Sequence, residues 1–156
     1  MLSGCFQSEE KALEQTKEAV KEAFSLEPQE VNQKIDQISL HLPEDMEIKG
    51  SSANNVYLEK DGVDYLIFYN QYETEQSKNL YEGLKLREDA LLLESFEDDN
   101  RFAYVGVFPN NEETYELQVG IGSVKKVSTI TELDELEQNA YDLMKLLLTI
   151  EVHPEQ

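Results

Sequence analysis

The chain predicts an α+β domain: one antiparallel sheet with helices on both faces, in three layers, preceded by an N-terminal helix. Three observations carry this. The hydrophobic period changes from 3.6 residues near the N-terminus to 2 through the middle of the chain. Residues 56–69 hold two β-branched and aromatic runs around Asp61-Gly62, the pattern of a hairpin with a type I′ turn. Near the C-terminus Leu133, Leu136, Ala140, Leu143, Met144, Leu147 and Ile150 form one apolar stripe at helical spacing.

Residues 8–24 read as the first helix. Ser8 suits the N-cap, and Glu9 and Glu10 follow in the first turn, where the helix dipole favours acids. Ala12, Thr16, Ala19 and Ala23 make its small-residue stripe, flanked by Leu13, Val20 and Phe24. Pro28 fits the first turn of a second, short helix ending near Gln37. Residues 38–42 alternate as a strand that Pro43 closes. In the second hairpin strand Tyr65, Ile67 and Tyr69 point one way and Leu66 and Phe68 the other. Both faces are apolar, so the strand is expected to be central and covered on both sides.

Helical spacing returns over residues 74–88 with Leu80, Tyr81 and Leu84, and Thr74 stands as the cap. A second hairpin follows, residues 91–97 and 101–108 around Asp98-Asp99-Asn100, with Phe102, Tyr104 and Phe108 opposing Ala103, Val105 and Val107. Residues 115–121 alternate with one polar face, which predicts a strand nearer the sheet edge. For the last helix, Thr129 with Glu132 and Thr131 with Asp134 offer two overlapping capping boxes, and Pro154 ends it.

At 156 residues the chain is the size of one domain with a real core, placed at residues 8–152 with 153–156 as a tail. The 33 acids and 13 bases leave a net charge of −20, which repels nucleic-acid phosphate and anionic lipid headgroups and excludes nucleic acid as a partner. A single cysteine rules out an internal disulfide framework and any multi-cysteine metal site. No apolar run approaches the ~18 residues of a membrane-spanning helix.

The residues give little purchase to catalysis. The only histidines are His41, within a strand pattern and paired with Ser39 on its polar side, and His153, read as a solvated tail residue. No Gly-x-Ser-x-Gly occurs, and Ser123 lacks that context. Gly120-Ile121-Gly122-Ser123 lacks the lysine and following helix of a phosphate loop. Carboxylate pairs are so abundant that spacing alone identifies none for glycosidase-type chemistry. Glu97-Asp98-Asp99-Asn100 and Asn110-Asn111-Glu112-Glu113 carry the hard oxygens calcium prefers, but both read as ordinary turns. No catalytic residue, metal site or cofactor is therefore assigned, and the chain is read as a non-enzyme. Tyr69 and Tyr72, flanking Asn70 and Gln71 at the end of the central strand, are the candidate interaction patch.

Leu2-Ser3-Gly4-Cys5 resembles the lipobox of bacterial lipoproteins. In that family the small residues admit a dedicated peptidase and the cysteine carries a diacylglyceryl group. The resemblance implies that Cys5 is the lipidation site, that residues 1–7 are a lipobox remnant and tether, and that the domain is held at the outer side of the bacterial membrane. It also implies a basic segment and an apolar segment of roughly 7–15 residues upstream, of which the sequence as read holds only the end. The order of elements resembles folds of the PsbP and Mog1 type, which implies an accessory role and names no site. The function expected is thus a lipid-anchored, extracytoplasmic binding or accessory protein of the cell envelope, with an envelope protein or wall component as partner. Two alternatives stand. One is a soluble small-ligand domain with Cys5 incidental, its cavity lined by Tyr65, Phe68 and Tyr104 beneath the Leu80/Leu84 helix; the other is a carboxylate-dependent hydrolase.

Overall fold

Helix α1 (Glu9–Phe24) begins where the sequence places it: Ser8 is extended, and its Oγ accepts the Lys11 amide at 3.1 Å. These coordinates come from a computed structural model that describes residues 8–154. Leu2, Ser3, Gly4 and Cys5 lie outside the described residues. After α1, β1 (Gln33–Ile35) and β2 (Ile38–Leu40) form a small hairpin. A seven-stranded antiparallel sheet follows from β3 (Glu47–Ser52), β4 (Asn55–Lys60), β5 (Val63–Tyr69), β6 (Leu92–Glu97), β7 (Phe102–Pro109), β8 (Thr114–Ile121) and β9 (Lys125–Glu132). Its order is β3-β4-β5-β9-β8-β7-β6. Helix α2 (Asn79–Leu84) lies between β5 and β6, and α3 (Leu136–Thr149) follows β9. The final strand β10 (Glu151–Val152) joins the small sheet, whose order is β1-β2-β10.

The β4–β5 hairpin is built as its turn residues require. Asp61 has φ 52° and Gly62 φ 77°, the two left-handed positions of a type I′ turn. Pairing runs from Lys60↔Val63 to Asn55↔Phe68. Strand β5 then pairs with β9, so it is an interior strand as its two apolar faces predict.

Alternation sorts the sheet into two faces. On one, Val56, Leu58, Ile67, Val105, Val119 and Val127 meet α1 and α3, which also pack on each other. The α3 stripe of Leu136, Leu143 and Leu147 is wholly buried in this core. On the other face Phe102, Tyr104 and Phe108 lie under the 70–91 segment. The Tyr81 ring sits 5.3 Å from Phe102 and 5.8 Å from Tyr104, and the Arg87 guanidinium lies 3.8 Å over the Phe108 ring. The molecule is thus α+β with an antiparallel sheet and an N-terminal helix. Both long helices occupy the same face, and the second face receives only α2, six residues long and with no buried residue.

Four local expectations are corrected. Residues 28–37 are extended and contain β1, not a helix. The Asn32 side chain bridges to Leu42, donating to its carbonyl at 3.2 Å and accepting its amide at 2.7 Å, and Asp36 turns with φ 51°. The helix over 74–88 shrinks to α2. Thr74 and Glu75 give their carbonyls to the amides of Ser123 and Phe102 at the sheet end, so Thr74 cannot cap. Thr129 and Thr131 do not cap α3 but lie in β9, where the Thr129 hydroxyl donates to the Asp64 carbonyl at 2.7 Å. A single 3₁₀ turn, Leu133–Glu135, separates the strand from α3. Strand β8 is not near an edge: it runs between β7 and β9, and its polar face is the face without long helices.

Candidate functional site: the uncovered half of the sheet

Strand alternation brings Tyr57 of β4, Leu66 and Phe68 of β5, and Lys126, Ser128 and Ile130 of β9 onto the second face. Glu116 and Gln118 of β8 stand beside them, with register Tyr57↔Leu66, Leu66↔Ser128 and Gln118↔Ser128. The 70–91 segment reaches this group through Arg87, at Glu116 of β8. A polar ladder marks the boundary. Lys126 Nζ donates to Gln118 Oε1 at 3.3 Å, and Gln118 Nε2 donates to Glu116 Oε2 at 2.8 Å. Arg87 then donates to Glu116 at 3.1 Å and to Asp89 at 2.9 Å. The Asp89 carboxylate holds the guanidinium above its ordinary pKa, with Glu116 adding to it, while burial pushes the Lys126 ammonium down.

Beyond the ladder lies a shallow hollow of about 360 Å³ floored by Tyr57, Leu66, Ser128 and Ile130, with Asp64 and Glu116 at its sides. Tyr57 is 42% exposed and Ile130 41%, so two large apolar side chains face solvent together. At the end of the sheet a second hollow, of about 530 Å³, shares Ile130 and Tyr65 with the first. It gathers Asp61, Glu113, Glu132, Asp134, Glu135 and Asp142 around one cation, Lys60. Lys60 itself leans towards Asp45 at 3.9 Å. The Tyr65 phenol is pushed above its ordinary pKa, first by burial and then by the charges of Glu135, Asp142 and Asp61.

The other residues singled out in the sequence are separated. Tyr69 and Tyr72 line one further hollow with Asp36, Ser51 and Asn54, but Tyr69 is 3% exposed and belongs to the core whereas Tyr72 is 83% exposed. Tyr65 belongs to the helix-side core while Tyr104 packs on Tyr81 across the sheet, so the two do not line one cavity with Phe68. His153 is no free tail residue: its amide donates to the Gln37 carbonyl, and its Nε2 lies 2.8 Å from Ser39 Oγ. His41 Nδ1 meets the Glu30 carbonyl at 2.8 Å. Both imidazoles therefore tie down the small sheet. Asp98 accepts the amides of Asn100 and Arg101 and pairs with the Arg101 guanidinium, which holds its carboxyl below the usual range. Asn111 accepts the amides of Glu113 and Thr114. These oxygens are spent on turn geometry. Among the described residues no group of three or more His, Cys, Asp or Glu side chains is disposed to hold a metal, and no helix is long and apolar enough to cross a membrane.

Lys126, Ser128 and Ile130 are the site residues the sequence reading missed. Their signal was the alternation of β-branched Val127, Thr129 and Thr131 through residues 125–132, the pattern of a strand.

No protein-family model matches the chain, and no curated protein matches it. Among solved structures, a protein from Bacteroides thetaiotaomicron aligns with a TM-score of 0.42 at 13% identity. The alignment covers 76% of this chain and 46% of that one, so the chain spans less than half the length of that protein.

Proposed function

We propose that this protein is a non-enzymatic binding or accessory module of the bacterial cell envelope, lipid-anchored through Cys5 on the extracytoplasmic side. The observation that carries the binding part is the half-covered second face, where Tyr57, Leu66 and Ile130 form a connected apolar floor open to solvent. Contiguous exposed apolar surface of this kind is where proteins meet partners. The three-layer arrangement enters here too: the bound partner supplies the layer that α2 supplies over β7, where Tyr81 packs on Phe102 and Tyr104. The tether rests on Leu2-Ser3-Gly4-Cys5. Glu9, at the start of α1, accepts the Tyr115 hydroxyl at 2.8 Å, so the first turn of α1 lies at the sheet end where Thr114 lines the acidic hollow. A diacylglyceryl group provides the two chains that durable anchoring requires.

The test uses protein from its own host, with a photo-crosslinking residue at Ile130 or, on the helix side, at Glu18, each with and without Cys5→Ser. The expected result is a lipid-sized mass increment on Cys5, loss of membrane retention in the variant, and crosslinks from position 130 but not 18. An unmodified Cys5 in a soluble fraction would overturn the anchor, and equal crosslinking from both positions would overturn the face.

A soluble ligand-binding domain with Cys5 incidental is the second reading. It is favoured by the Tyr104 hydroxyl, buried beside α2 with no hydrogen-bond partner among the described residues.

A further inference from the structure

We infer that the uncovered half of the sheet takes a basic, amphipathic polypeptide segment of a partner protein. Apolar side chains of the segment lie on Tyr57, Leu66 and Ile130, and Lys or Arg heads enter the acidic hollow at the sheet end. The inference rests on the binding reading above and names the chemistry of the occupant.

Two features select that occupant. The floor is apolar, and it adjoins the acidic hollow, because Ile130 and Tyr65 line both. Six carboxylates there face one ammonium, and none of the six is engaged in an ion pair among the described residues. A concave site lined by one sign of charge draws and orients the opposite sign, more strongly as the partner displaces water. The same charge disfavours the other occupants. A second copy of a chain at −20 brings like charge against like, and anionic lipid or nucleic acid meets the same repulsion.

The probe is a ten-residue peptide of alternating Leu and Lys, beside a Leu/Glu and a Leu/Ser counterpart of equal length, followed by amide chemical-shift mapping at low and high salt. The Leu/Lys peptide is expected to shift Leu66, Ser128 and Ile130 together with Glu132 and Asp134, and to weaken steeply with salt. Leu66→Ser with Ile130→Ser should reduce its affinity about tenfold or more, as loss of a central apolar contact does. Asp134→Lys with Glu135→Lys should flatten the salt dependence while leaving the Leu/Ser peptide unchanged. If Leu/Ser or Leu/Glu binds the floor as well as Leu/Lys, the basic partner is overturned and the docking face survives. If Leu/Lys shifts residues all over the acidic surface and the floor variant binds it equally, or if no peptide shifts the floor, the inference is overturned, and in the last case the docking face goes with it.

Discussion

The two faces of the seven-stranded sheet are made from the same strands, yet they hold different kinds of surface. On the helix side the strands present Val56, Leu58, Ile67, Val105, Leu117, Val119 and Val127, all buried, and α1 and α3 close over them. On the other side the same strands present Tyr57, Leu66, Ser128, Ile130, Glu116 and Gln118, and only the 70–91 segment covers part of them. The helix side is where folding free energy is gained, at about 25 cal/mol per Å² of apolar surface removed from water. The second side is stable enough to exist because its strands are already fixed from behind. That leaves part of it, around Tyr57 and Ile130, exposed to solvent.

The largest expected effect lies on the helix side. Leu147 is wholly buried between α3 and the sheet, so Leu147→Ala should lower the unfolding free energy by about 2–5 kcal/mol, read by urea denaturation. A loss below about 1 kcal/mol would mean that α3 is not the main source of the core. Next comes the covered half of the second face. A Cβ on Gly120 would collide with the Tyr104 ring, and Tyr104 has no exposed surface to retreat towards. Gly120→Ala should cost roughly 1–3 kcal/mol through overpacking, and combining it with Tyr104→Ala should recover part of that loss.

Tyr104 also supplies a gain. Its hydroxyl is the only buried side-chain polar atom without a partner among the described residues. Such a group costs roughly 1–3 kcal/mol of desolvation, so Tyr104→Phe is expected to stabilise the fold by about 1 kcal/mol. An equal loss would show that the hydroxyl meets a partner in solution, which would strengthen the ligand-binding reading.

How far the molecule could be read from its sequence follows the same division. The Ser8 cap, the Asp61-Gly62 turn and the leucine stripe of α3 are local signals, and each element they predict is present. Residues 28–37, 74–88 and 125–135 were misread because distant partners decide them. Asn32 reaches Leu42, Thr74 and Glu75 give their carbonyls to Ser123 and Phe102, and Thr129 answers Asp64. Losing β9 also lost half the candidate site, since Lys126, Ser128 and Ile130 come from that strand. Within the Tyr69–Tyr72 pair, alternation turns Tyr69 into the core, and the loop after it leaves Tyr72 outside, though both line one hollow.

Alkaline pH sets the buried tyrosines of both faces against the buried Lys125. Burial raises the phenols of Tyr65 and Tyr69 on the helix side and of Tyr104 on the other above the ordinary tyrosine value of 10.0. The unfolded chain therefore releases these protons first. Stability is intact below about pH 10 and falls as the pH climbs towards the folded values. Lys125 acts in the opposite sense. Its ammonium donates to the Ile150 carbonyl at 2.6 Å, but burial holds its pKa below 10.5, so approaching that pH removes a penalty. Tyrosinate absorbance during alkaline unfolding should show a late, cooperative phase that shrinks in Tyr104→Phe. A smooth titration of all eight tyrosines with no such phase would contradict the burial of all three.

The smallest expected effect is the sharpest test of the division between faces. Ile130→Ser removes a large apolar side chain from an interior strand, which on the helix side would cost several kcal/mol. Here Ile130 is 41% exposed and no layer lies over it. Substitutions at such surface positions fall within about 0.5 kcal/mol, with a small further loss from the β-propensity of isoleucine. The denaturation midpoint should therefore barely move, while partner crosslinking from this face is lost. A destabilisation comparable to that of Leu147→Ala would mean that the chain itself covers this half of the sheet in solution. The floor would then belong to the core, and recognition would have to be sought elsewhere on the acidic surface.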